Sequence, residues 1–153
     1  MRRVVIGVLA IMLVPFIVLA LPFAVLVKPF LKKRNEELVQ DLVNKYGTNG
    51  YEVYICESRR EAELVLGRGV AGHCNGDKRQ IVLRHAWRKR NIVDTFFHEL
   101  RHAEQQTCDE LRNKYFASSL ALKVGKVNYK EAWHEQDARV FAAEMTAMYL
   151  KGE

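Results

Sequence analysis

The sequence predicts an α+β fold: a short antiparallel sheet packed on two amphipathic helices, set behind one N-terminal transmembrane helix. Three observations carry this expectation. Residues 4–27 hold no charged side chain. Short segments near residues 51–56, 70–73 and 80–84 have strand character between turn signals. Two long stretches, from about Asn91 and from about Glu131, repeat apolar residues at helical spacing.

The uncharged run from Val4 to Val27 spans 24 positions. At about 1.5 Å per residue, that length crosses a hydrocarbon layer of roughly 30 Å with some tilt. Pro15 and Pro22 kink such a helix but are tolerated in membrane spans. Arg2, Arg3 and Ala20 also suit a cleaved signal peptide, yet the run exceeds the roughly 7–15 residues of a signal core. The expectation is a retained single-pass anchor with basic flanks over residues 1–34 and one folded domain over residues 35–153 of the 153-residue chain. Arg2 and Arg3 face Lys28, Lys32, Lys33 and Arg34 across the run, which favours a membrane protein with its domain on the cytoplasmic side.

A net charge of +6 suggests a nucleic-acid partner until it is located. Six of the 24 Lys and Arg lie at positions 2, 3, 28, 32, 33 and 34, and all 18 Asp and Glu follow residue 34, so the rest of the chain is neutral. The basic balance belongs to the flanks of the apolar run, and no nucleic-acid partner is expected. Cys56, Cys74 and Cys108 are odd in number and lack C-x-x-C spacing, which argues against a disulfide scaffold and fits a reducing compartment.

Residues 29–47 read as an amphipathic helix with Leu38, Leu42, Val43 and Tyr46 on one face, ended by Gly47 and Asn49-Gly50. Tyr51–Cys56 reads as a strand, and Glu61–Leu66 as a short helix closed by Gly67. Val70–His73 and Gln80–Arg84 flank Asn75-Gly76-Asp77 as a hairpin. Asn91 suits an N-cap and Asp94 the first turn of the next helix, whereas Arg88, Lys89 and Arg90 are unfavourable there. Asp109–Val124 reads as a helix and Gly125–Tyr129 as a loop. A terminal helix over Glu131–Leu150 has Ala138, Phe141, Ala142 and Met145 on its inner face. His73 and His85 read as surface or hydrogen-bonded residues, and the basic run from Lys78 to Arg90 as a solvated face.

The chemistry-bearing stretch is His98-Glu99-Leu100-Arg101-His102. Residues four apart share a helix face, so both imidazoles reach one divalent ion with Glu99 beside them. Ile92, Val93, Phe96, Phe97, Leu100 and Ala103 form the opposite, apolar stripe. Two imidazoles and a third protein ligand hold zinc with a position left for water, whose proton a nearby carboxylate removes. A Glu from a later helix is one standard third ligand, and the terminal helix opens with His134-Glu135-Gln136-Asp137-Ala138-Arg139.

The pairing of the HExxH run with Glu-x-Asp-Ala-x-x-Phe-Ala over residues 135–142 resembles the gluzincin-type zinc metallopeptidases, most closely the ImmA/IrrE-like family, over about residues 51–150. The resemblance implies a small zincin-like domain in which His98, His102 and Glu135 bind Zn2+ and Glu99 is the general base. Asp137 is the alternate ligand or an acid that orients a histidine. Arg139 stands where that family usually has Asn or Asp. Tyr129, His134 and Arg101 are candidates to polarise a substrate carbonyl. The expectation is a membrane-anchored zinc peptidase acting on a protein or peptide substrate. The alternative is an inactive zinc-binding or protein-interaction module of the same fold.

Overall fold

The computed structural model describes residues 27–152. The chain divides at Arg34/Asn35 into two compact units. Of the first unit only residues 27–34 are described, and they are helical.

The expected transmembrane helix is corrected here. Most of the run from Val4 to Val27 lies outside the described residues. Among the described residues, no helix is long and apolar enough to cross a membrane. The helical residues that follow Val27 carry Lys28, Lys32, Lys33, Arg34, Glu36 and Glu37, and charges of that density are expensive in hydrocarbon. The single-pass membrane assignment, and the cytoplasmic placement that depended on it, are withdrawn.

The second unit begins with helix α1 over residues 35–46. Strand β1 (Glu52–Ile55), helix α2 (Arg59–Val65), strands β2 (Gly72–Asn75) and β3 (Gln80–Leu83), and helices α3 (Lys89–Thr107), α4 (Asp109–Lys123) and α5 (Trp133–Lys151) follow. Helix α2 starts earlier than its apolar residues suggest because Ser58 caps the Glu61 N–H and the Glu61 carboxylate accepts from the Glu57 N–H.

The sheet is mixed, not the antiparallel sheet expected. Its order is β1-β3-β2, with β1 parallel and β2 antiparallel to β3. The physical reason is the crossover through α2, which delivers β2 to the far edge so that β3 returns between the two. The turn between β2 and β3 is longer than a two-residue hairpin: Arg79 adopts a positive φ, and the Asn75 side chain accepts from the Lys78 N–H.

Helix α3 is the centre of the domain. Ile92, Val93, Phe96, Phe97, Leu100 and Ala103 are all buried, and they share one core with Ile81 and Leu83 of β3 and Leu38, Val39 and Leu42 of α1. Phe97 receives edge-on rings from Tyr46, Phe96 and Phe141, and burying each such phenyl ring stabilises by about 1.5–3 kcal/mol. On its other side α3 packs against α5, where Ala138 and Ala142 are fully buried and small enough for close helix approach. At the carboxyl end of α5, the Tyr149 hydroxyl donates to Asp41 Oδ2 of α1 at 2.7 Å.

Helix α3 starts at Lys89 with no side-chain cap, not at Asn91. Arg88, Lys89 and Arg90 are exposed, so solvent screens a dipole penalty of only about 0.3–1 kcal/mol. Cys108, in extended conformation, separates α3 from α4.

Two outcomes follow from these contacts. A methyl group on Gly72 would lie 2.6 Å from Thr95 Cγ2 and 2.9 Å from Glu99 Cγ. Gly72→Ala is therefore expected to cost about 1–3 kcal/mol in denaturant unfolding, part of it recovered by adding Thr95→Ala. Burial first, and then the bond to Asp41, push the Tyr149 phenol up to about 12. Its stabilising contribution is thus complete below about 10, the unfolded value, and is lost as pH rises through the folded one. Tyr149→Phe should cost on the order of 0.5–1.5 kcal/mol at neutral pH. The gap between wild type and variant should close across that alkaline window.

Candidate metal centre

The face of α3 opposite the core carries His98 and His102, one turn apart, with their Nε2 atoms 3.2 Å from each other. The first turn of α5 brings Glu135 against them. Its Oε2 lies 3.4 Å from His98 Nε2, and its Oε1 lies 3.6 Å from His102 Nε2. Among the described residues, His98, His102 and Glu135 are the one group of three metal-ligating side chains, with donor atoms all within 4.8 Å of one another. Bond lengths of 2.0–2.1 Å in a tetrahedral zinc site imply donor separations of about 3.3–3.4 Å, and the observed spacings bracket that value.

The donor set fits a small divalent cation on a second ground. Glu135 is buried, and its Oε2 has no hydrogen-bond partner. The His98 ring and the Tyr129 hydroxyl, both turned toward it, hold the carboxyl below the usual range against the opposing effect of burial, without satisfying that oxygen as a donor. An anionic buried oxygen without a hydrogen-bond donor is costly unless a cation meets it, and the Arg139 guanidinium approaches it at 3.7 Å, too far for a hydrogen bond. Paired imidazoles and one carboxylate suit zinc.

His102 is oriented by neighbours. Its Nδ1 is 2.9 Å from Gln105 Oε1. A proton on Nδ1 donated to that oxygen leaves Nε2 with a free lone pair. Burial lowers the His102 pKa to about 4, so the ring is neutral near pH 7. Gln105 is fully buried, and its amide donates to the His134 carbonyl at 2.9 Å and to Asp137 Oδ2 at 2.8 Å. Asp137 also takes a two-pronged bond from Arg101, at 2.7 and 3.2 Å. Asp137 therefore acts on His102 through Gln105 and is not in the donor cluster. Arg101 is committed to Asp137, Glu104 and the face of the Phe141 ring, away from the cleft.

Glu99 lies in the same cleft, a cavity of about 360 Å³ whose walls include Gly72, Cys74, Tyr115, Tyr129 and His134. Burial pushes the Glu99 carboxyl up to about 7, with the negative Glu135 adding to it and His98 opposing. Burial would lower His98, but the Glu135 and Glu99 carboxylates raise it above its ordinary value. Desolvation and then Glu99 push the Cys74 thiol up to about 12; it stays protonated at neutral pH and is no ready ligand. His134 Nδ1 pairs with Ser118 Oγ at 2.9 Å, and its Nε2 faces Glu135 Oε1 at 3.8 Å. His73 lines the cleft from β2, while His85 does not.

Sequence reasoning did not find Gln105, Tyr115 or Gly72. Gln105 stands one turn beyond His102, which is the only hint that it faces the same way. Nothing in the residues around Tyr115 marks it, because its approach depends on the turn at Cys108.

The fold and these residues define a two-helix, two-histidine, one-glutamate cluster with the Glu99 carboxyl beside it. Residues 47–153 match the family described as "Protein of unknown function (DUF3920)", and the chain belongs to that family. The match takes in every residue of the cluster. No curated protein and no solved structure matches the chain.

Gln105→Leu removes the partner of His102 Nδ1 and leaves Asp137 short of a donor. It is expected to destabilise by about 1–3 kcal/mol and to weaken divalent-metal binding about 10- to 100-fold. Denaturant unfolding and competitive metal titration with a chromophoric chelator measure the two effects.

Proposed function

We propose that this chain is a zinc-dependent peptidase of the HExxH type, in which His98, His102 and Glu135 hold the metal and Glu99 is the general base. The observation that carries the reading is the convergence of three donors from two helices within 4.8 Å of one another, with Glu99 in the same cleft. The sequence likeness to the ImmA/IrrE-like metallopeptidases supports it.

When bound, zinc supplies Lewis acidity, which acidifies water and polarises a substrate carbonyl. Glu99, with a pKa of about 7, is balanced to take a proton from water and to return it to the leaving amine. Gln105 keeps the His102 lone pair turned toward the donors. Tyr129 and His134, both on the cleft wall, are placed to donate toward a developing oxyanion. Strand β2 is an edge of the sheet, paired only with β3, and it lines the cleft through Gly72, His73 and Cys74. Its edge position suits an extended peptide added as a further strand, although the Cys74 N–H on that edge is already bonded to the Glu99 carboxylate. Gly72 keeps that strand close to Glu99, where a methyl group would sit 3.0 Å from Glu99 Oε1.

One observation favours a second reading, a catalytically inactive zinc-binding or protein-interaction module of the same fold. The Arg139 guanidinium lies 3.7 Å from Glu135 Oε2, and a fixed cation there competes with a metal for the carboxylate.

A single pair of measurements separates the readings. The full-length chain, purified with zinc, is expected to hold about one zinc per molecule, with the metal lost or weakened in His98→Ala and Glu135→Ala. Against a mixed peptide library read by mass spectrometry, wild type should generate cleavage products. Glu99→Gln should keep its zinc while its rate falls about 10²- to 10⁴-fold. Zinc without cleavage in the wild type selects the inactive zinc-binding module, and absence of zinc removes the peptidase and leaves the protein-interaction module.

A further inference from the structure

Arg139 sits one turn beyond Glu135 on α5 and is exposed on the rim of the cleft. Its two terminal nitrogens donate to backbone carbonyls of the preceding loop: Nη1 to Lys130 O at 3.1 Å and Nη2 to Tyr129 O at 3.3 Å. The guanidinium also lies over the Tyr129 ring, 5.4 Å from its centroid. The same nitrogen that meets the Tyr129 carbonyl is the one nearest Glu135. One planar fork thus touches the loop backbone, the Tyr129 ring and the buried carboxylate together.

Tyr129 needs such a hold. More than half of its surface is exposed, at 55%, yet it is a wall of the cleft and its hydroxyl turns toward Glu135. Burial therefore does not fix its ring. Within the loop, Asn128 Oδ1 accepts from the Lys130 and Glu131 N–H groups, which shapes the turn without reaching the ring.

We propose that Arg139 is a positioning residue: it ties the loop bearing Tyr129 to the helix bearing Glu135 and so fixes the Tyr129 ring as a wall of the cleft. A guanidinium suits this role because its two terminal nitrogens reach two separate carbonyls while its carbon lies 5.4 Å from the ring centroid, whereas an ammonium presents all its donors from one point on a flexible stem. The inference deepens the peptidase reading and rests on it only for the consequence that Tyr129 is set toward a bound metal. The geometry of the strut itself does not depend on metal.

The test is fluorine NMR of the full-length chain labelled with 3-fluorotyrosine, first without metal and then with added zinc. Tyr129→Phe identifies the Tyr129 resonance among the six tyrosines. In the metal-free chain, Arg139→Lys and Arg139→Gln should each move that resonance toward the position of free fluorotyrosine and narrow it, leaving Tyr51 and Tyr149 in place as reporters of the fold. A Tyr129 resonance that stays in its wild-type position in either folded variant overturns the proposal, as does a displacement shared by all the tyrosines in both. Zinc added to wild type should shift Tyr129, and the shift should shrink at least twofold in Arg139→Lys. If zinc moves no resonance, the metal reading fails while the metal-free comparison still decides the role of Arg139.

Discussion

The domain depends on one buried contact: the Glu135 carboxylate of α5 lodged against the paired imidazoles of α3. Everything nearby serves that approach. The sheet and α1 cover the apolar face of α3 and leave its histidine face to α5. Ala138 and Ala142 let the two helices close, and the Arg101–Asp137–Gln105 chain crosses the same interface to fix the His102 ring. An arrangement that leaves a buried carboxylate oxygen without a donor is costly on stability grounds alone. Strain of that kind belongs at functional sites.

Two carboxylates share the cleft, and their surroundings push them apart. Burial raises Glu99 to about 7, whereas the facing His98 and Tyr129 keep Glu135 below its ordinary value despite burial. One carboxyl thus exchanges protons near neutrality beside another that stays ionised. The histidines divide in the same way: His102 is driven to the neutral form by burial, and His98 is lifted by the two acids. Arg139, on the rim, is a fork that reaches the adjoining loop.

The local parts of this arrangement were legible in the sequence because they follow from helical periodicity. His98 and His102 had to share a face, and the six apolar residues of α3 had to share the other. Parts that depend on distant chain were not legible. The parallel pairing of β1 with β3 follows from a crossover that strand patterns do not encode. Gln105 acquires its role only because α5 presents the His134 carbonyl and Asp137 to it. The choice between Glu135 and Asp137 was likewise tertiary: both face α3, but Arg101 takes the second. The start of α3 was misjudged because exposed basic residues pay little for sitting in a first turn. The transmembrane reading rested on the uncharged run, most of which lies outside the described residues, and no helix among the described residues is long and apolar enough to cross a membrane.

X-ray absorption at the zinc edge of the zinc-loaded full-length chain tests the central contact most directly. Two imidazole nitrogens and one carboxylate oxygen at about 2.0–2.2 Å, with no sulfur in the shell, are the coordination that this geometry predicts. A sulfur scatterer at about 2.3 Å, which would draw Cys74 into the shell, or a spectrum unchanged by Glu135→Ala would contradict it.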